Sequence, residues 1–135
     1  MQLTSHTNRK SQSSIELLLF FSIALLIFSI VYTTVFEKTR NVYESNSRSQ
    51  AIEISEKVAA EINTAVSEGD GYSKNITLPN DIFGASYVVS IDKGDVFVYW
   101  RGKNAASRII IENVTGVFVS GNNKIKNKGG VIIAN

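Results

Sequence analysis

The chain of 135 residues has no cysteine, one proline, one histidine and one tryptophan. Without cysteine, no disulfide can staple a small domain and no thiolate can hold a metal, so stability must come from packing, from association, or from both. The single histidine, His6, lies in a polar N-terminal flank. Imidazole catalysis and multi-histidine metal sites therefore lack their residues. The formal net charge of +2 is too small to suggest a nucleic-acid partner, and no Lys/Arg cluster interleaved with aromatics supports one. The remaining absences are local. Residues 17–36 contain no charge, and residues 37–68 contain neither Gly nor Pro.

The uncharged stretch from Leu17 to Phe36 would span about 30 Å as a helix, enough to cross a bilayer core. A secretory signal has a shorter apolar region, roughly 7–15 residues, followed by a small-residue cleavage site. Here Tyr32, Thr33, Thr34, Val35 and Phe36 lead straight to Glu37 and Lys38, so the run reads as retained. Residues 1–11 carry Arg9 and Lys10 and no acid, and the rest of the chain balances its basic and acidic side chains. A basic flank before an apolar run favours a cytoplasmic N-terminus, which would put the remainder of the chain outside the cell.

The helix is expected to continue past the apolar run. Ala51, Ile54, Val58, Ile62, Ala65 and Val66 recur at helical spacing, and Glu53, Glu56, Lys57, Glu61 and Glu68 fall mainly on other faces. Asn and Ser accumulate over Glu44–Gln50, the weakest part of the helix, where low propensity leaves room for a kink or local fraying. Gly69-Asp70-Gly71 is a stop signal. A helix from Gln12 to Glu68 would be about 85 Å long, more than any membrane, so its second half needs something outside to pack on.

Residues 72–135 change to short β-rich runs separated by Gly, Asn, Asp and Lys. Strands are expected at 74–78, 85–91, 95–101, 107–111, 116–120, 124–126 and 130–134. Ile91-Asp92-Lys93-Gly94-Asp95-Val96 reads as a hairpin connection, and Gly121-Asn122-Asn123 and Lys128-Gly129-Gly130 as further turns. Between Asp95 and Arg101, Val96, Val98 and Trp100 alternate with Phe97 and Tyr99. This predicts a central strand covered on both faces. A β domain of this size is marginal alone, and the amphipathic half of the helix is its natural cover. The expected fold class is α+β, with a long N-terminal helix packed on a small antiparallel β domain.

Glu16 stands one position before the uncharged run. A carboxylate entering a membrane is costly, so it needs a partner once inside a protein assembly. It belongs to the segment Arg9-Lys10-Ser11-Gln12-Ser13-Ser14-Ile15-Glu16-Leu17-Leu18-Leu19-Phe20. This segment resembles the class III signal peptide of euryarchaeal type IV pilin-like proteins, whose pattern is Gln-x-Ser-x-Glu-x-x-x-Leu after basic residues. Gln12, Ser14 and Glu16 match in register, and Arg9 and Lys10 supply the basic flank. Phe20 stands where Leu is usual, and Ser11 where Gly or Ala usually precedes the cut.

The resemblance implies leader processing at Lys10, Ser11, Gln12, Ser14 and Glu16, with a membrane-embedded aspartyl prepilin peptidase cutting before Gln12. It divides the chain into a cleaved leader (1–11), a transmembrane and filament-core helix (12–36), an amphipathic extension (37–68) and a β-rich external head (72–135). It implies a single-pass membrane protein that an assembly ATPase and membrane platform extract into a helical surface filament of identical copies, alone or with other pilins. Glu16 would set assembly register by satisfying a neighbour's N-terminal amine. Other readings are a minor pilin or membrane-anchored surface adhesin and, less favoured, an archaellum filament subunit. A plain signal-anchor helix would leave Gln12, Ser14 and Glu16 unexplained.

Asn75-Ile76-Thr77 and Asn113-Val114-Thr115 are N-glycosylation acceptor triplets in the segment expected outside the cell. Phe97, Tyr99 and Trp100 read first as core, and second as a lateral filament contact or adhesive patch. Asp92 and Asp95 flank a turn glycine and read as hairpin residues rather than an acid/base pair. No phosphate-binding glycine loop, nucleophile elbow or metal-ligand spacing is present. The sequence reads as a non-enzyme without cofactor, metal or catalytic residues.

Overall fold

The computed structural model describes residues 6–135, with side chains from Gln12 onward. One helix, α1 (His6–Glu68), is followed by seven strands: β1 (Ser73–Leu78), β2 (Tyr87–Asp92), β3 (Asp95–Trp100), β4 (Lys103–Arg108), β5 (Val114–Gly116), β6 (Gly121–Lys128) and β7 (Val131–Ala134). The chain forms two compact units, one ending at Tyr43 and the other covering Glu44–Asn135, and α1 contributes to both.

The fold is α+β, as its sequence pattern predicts, with the long helix packed on a small, mostly antiparallel β domain. α1 shows no break across Glu44–Gln50 despite the low propensity there. In this stretch Ser47 is already buried against the domain, and tertiary packing of this kind outweighs intrinsic preference. The helix stops where the glycines predict, with Gly69 and Gly71 at φ of 83° and 90°, the left-handed conformation that favours glycine. Its last-turn carbonyls need outside partners. One comes from the sheet, where the buried Asn127 donates from Nδ2 to the Ala65 carbonyl at 2.8 Å.

The strands form two sheets, β1-β6-β7-β5 and β2-β3-β4. All pairings are antiparallel except β5–β7, which is parallel. Three two-residue connections close hairpins: Lys93-Gly94 between β2 and β3, Arg101-Gly102 between β3 and β4, and Gly129-Gly130 between β6 and β7. Both residues have positive φ in each, the turn geometry whose twist matches the flanking strands.

Both sheets and the second half of α1 enclose one core. Helix residues Ala51, Ile54, Val58, Ile62 and Ala65 are buried with Ile76 and Leu78 of β1, Val96, Val98 and Trp100 of β3, Ile125 of β6, and Ile132 and Ala134 of β7. Each buried Ile or Val contributes about 1.5–3 kcal/mol relative to exposure. Val66 packs at the edge, partly buried. Two serines enter the same interface, where Ser55 on α1 meets Ser107 on β4 through their hydroxyls at 2.7 Å.

Several strand expectations need correction. The strand expected at 107–111 is displaced to Lys103–Arg108. Only Ile109 of the three consecutive isoleucines is buried, and the Ile110 amide is taken by Asn63 Oδ1 at 2.9 Å. The strand expected at 116–120 lies at Val114–Gly116, and in the segment beyond it only Phe118 enters the core. Gly121-Asn122-Asn123 is the start of β6, not a turn. β3 is the central strand of its sheet but is covered on one face only: Val96, Val98 and Trp100 are buried, while Phe97 is half-buried and Tyr99 exposed.

Candidate functional site

The region to weigh is the first part of α1, from Gln12 to Tyr43. Every described side chain in it is exposed. It contains a stretch apolar and long enough to cross a membrane, with a mean hydropathy of 2.5 and no part buried in the molecule. Leu, Ile, Phe and Val cover the whole circumference of the helix between Leu17 and Phe36. A helix apolar on all sides is stable only in lipid or among other helices.

The local hydrogen bonding fits that environment. Ser22 Oγ donates to the Leu18 carbonyl at 2.7 Å, and Thr33, Thr34 and Thr39 each donate to the carbonyl four residues back at 2.9 Å. These hydroxyls are satisfied within their own helix and need no water. Phe28, Tyr32 and Phe36 form an i, i+4 aromatic ladder along one side, with centroids 6.3 and 6.5 Å apart.

Gln12, Ser14 and Glu16 all lie on α1, exposed, in the turns before Leu17. The helix continues through them to His6, so Glu16 is on a helical surface rather than at a free helix N-terminus. No described residue forms an ion pair with it. The side chains of Lys10 and Ser11, of Arg9 and His6, and residues 1–5, lie outside the described residues.

The two glycosylation triplets are in the other unit, on the β domain. Asn75 is exposed in edge strand β1, opposite Lys124 in register. Asn113 is exposed just before β5, and its carbonyl accepts from the Ile132 amide at 3.3 Å. Both amide side chains are reachable from solvent, and the triplet threonines are bonded, Thr77 to Asn122 Oδ1 at 2.8 Å and Thr115 to the Ile132 carbonyl at 3.3 Å. Asp92 and Asp95 face each other across the Lys93-Gly94 turn as hairpin residues.

Sequence reasoning placed Phe97 and Tyr99 first in the core and only second on the surface; they stack with centroids 6.0 Å apart on the open face of β3, whereas Trp100 is buried. Alternation alone could not show which face of a doubly apolar strand would be left open. No family model, curated protein or solved structure matches this chain.

Proposed function

We propose that this chain is a structural subunit of an archaeal type IV pilus-like surface filament, processed before Gln12 and assembled through the apolar part of α1. The observation that carries this is one helix with two different surfaces. Residues 17–36 are apolar and exposed all round, while residues beyond Ser47 bury a single stripe in the β domain. An anchor alone would need the first property, but it gives no reason for a carboxylate at its cytoplasmic entrance. Glu16, in the motif register with Gln12 and Ser14, supplies a group that is costly in lipid and useful against a positive charge in a helix bundle.

In this reading the membrane holds the subunit until assembly, and copies of the chain then replace lipid around Leu17–Phe36. The β domain forms the filament's outer surface and carries glycan on Asn75, Asn113 or both. The test is mass spectrometry on filaments sheared from native cells. The expected result is this chain as a main component, starting at Gln12, with glycopeptides covering Asn75 or Asn113. Assembled protein that retains residues 1–11 would overturn the processing step. Both asparagines bare in a host that glycosylates other proteins would remove the glycan.

A further inference from the structure

Charge is unevenly distributed on the β domain. β1, β5, β6 and β7, which make up the four-stranded sheet, contain four lysines and no acidic residue, and no acidic residue follows Glu112. Lys74 on β1 pairs with Glu61 of α1 at 2.6 Å. Elsewhere on the domain Lys57 donates to the Thr77 carbonyl at 2.8 Å, and Lys103 meets Glu44 at 3.3 Å.

Lys124, Lys126 and Lys128 differ from all of these. They alternate along β6 with the buried Asn123, Ile125 and Asn127, so the strand period puts all three on the outer face. The Cα atoms of successive lysines are about 6.8 Å apart along the strand. None forms an ion pair with a described residue. Asp70 stands at the Lys128 end of the row, where its Oδ1 accepts from the Gly129 amide at 2.7 Å. The lysines are closer together than the roughly 8 Å screening length at physiological salt, so they repel one another until a negative partner arrives.

The flanks of the row have different chemistry. On one side β1 presents Ser73 opposite Lys126, Asn75 opposite Lys124 and Thr77 opposite Asn122. On the other, half-buried Val131 and Ile133 of β7 stand opposite Lys128 and Lys126. The face therefore offers a line of cations, a rail of hydroxyl and amide groups, and a low apolar rail.

We infer that this face docks an extended carboxylate-bearing polysaccharide lying along β6. Such a polymer has charges repeated along a line, hydroxyls for the β1 side and apolar C–H faces for Val131 and Ile133. Duplex nucleic acid carries a denser charge and is matched best by arginine, and no arginine lies on these four strands. A lipid surface spreads its charge over a plane, whereas these lysines stand in single file. The inference is independent of whether the chain polymerises.

The test uses the full chain in detergent micelles, prepared without glycan so that Asn75 is bare beside Lys124. It is passed over immobilised polygalacturonate and over neutral dextran. Retention on polygalacturonate alone is expected, with release as salt rises to about 0.5 M, where screening shortens to a few ångströms. Replacing Lys124, Lys126 and Lys128 together by Gln should weaken binding about a hundredfold, about fivefold per lysine. Replacing the three by Arg should keep binding, and Lys93→Gln should leave it unchanged. Equal retention on dextran, a triple-Gln protein that binds like the parent, or loss in the triple-Arg protein would overturn the inference. So would binding to vesicles of anionic phospholipid without binding to the polymer.

Discussion

The two halves of α1 are built from similar residues and behave oppositely. Ile30 in the first half is 59% exposed, whereas Ile62 in the second is fully buried. What separates them is periodicity. In the first half apolar residues occupy every direction around the axis, too many for any one neighbour within the subunit to cover. In the second they occupy a stripe from Ala51 to Ala65, with Glu53, Glu56 and Lys57 on the exposed side, and one β domain covers that stripe completely. The first half is a surface for an environment, and the second is a surface for a single partner.

The strongest way to break this contrast is to remove the first half. A chain beginning at Glu37 should change from detergent-dependent to a soluble monomer with its β domain folded, read by sedimentation and circular dichroism. A chain of residues 69–135 alone should fail to fold cooperatively, since it loses Ile54, Val58 and Ile62 from the core. If both chains fold equally well, the second half of α1 is not a core element.

The next largest effect is expected at Glu16. Glu16→Ala should leave leader removal and membrane insertion largely intact and strongly reduce filaments. Immunoblots for processed protein alongside electron microscopy read both. Glu16→Gln then separates hydrogen bonding, where filaments recover, from charge, where they do not. Normal filaments from the Ala variant at normal abundance would show that Glu16 does not set register. Loss of processing would instead assign it to peptidase recognition.

Single core substitutions sharpen the contrast further. Ile62→Ala should destabilise the β domain by about 2–5 kcal/mol in denaturant unfolding. Ile30→Ala, the same chemistry on the exposed half, should change that unfolding by less than about 0.5 kcal/mol. Equal effects would mean that the two halves are not distinct surfaces.

The helix and its division were legible because their signals are long and repetitive: twenty uncharged residues, then a stripe with a glycine stop. The β2–β3 hairpin was legible from Gly94. β4 was not, because Lys103–Arg108 is mostly polar and offers the core only Ala105. Its turn also places Arg101 at φ 44°, a conformation that an arginine does not announce. The asparagines misled in another way. Asn123 looks like a turn residue but is buried as a hub, its Oδ1 accepting from the Val119 amide at 2.8 Å and its Nδ2 donating to the Val119 and Gly121 carbonyls at 2.7 and 3.1 Å. Parallel pairing of β5 with β7 depends on contacts between distant segments, and no local pattern encodes it. In the proposed assembly segment Gln12, Ser14 and Glu16 carry only a resemblance. What the structure adds is that Glu16 lies within continuous helix with no described partner.

The smallest effect tests whether pH sensitivity belongs to the packed unit. Three groups there are held above their ordinary values. Tyr72 is raised by burial and by the neighbouring Glu61 carboxylate, Lys74 by its hydrogen bond to Glu61, and Tyr87 by burial and then the charge of Asp81. A group whose folded pKa is raised keeps its proton more tightly in the native state. Its contribution is complete below the unfolded value, 10.0 for the tyrosines and 10.5 for the lysine, and is lost as pH rises through the folded value. All three act in the same direction, so the β domain should lose stability above about pH 10 rather than gain it. Tyr87 is the cleanest probe, because its hydroxyl donates to the Pro79 carbonyl at 2.6 Å and burial is its first cause. In the chain beginning at Glu37, thermal unfolding at about pH 9 and pH 11 should show a lower midpoint at the higher pH. Tyr87→Phe should cost stability at the lower pH through the lost hydrogen bond and make the alkaline fall shallower. An equally steep fall in the Phe variant would show that Tyr87 ionisation does not drive the loss, leaving Tyr72 and Lys74 at the Glu61 contact as its source.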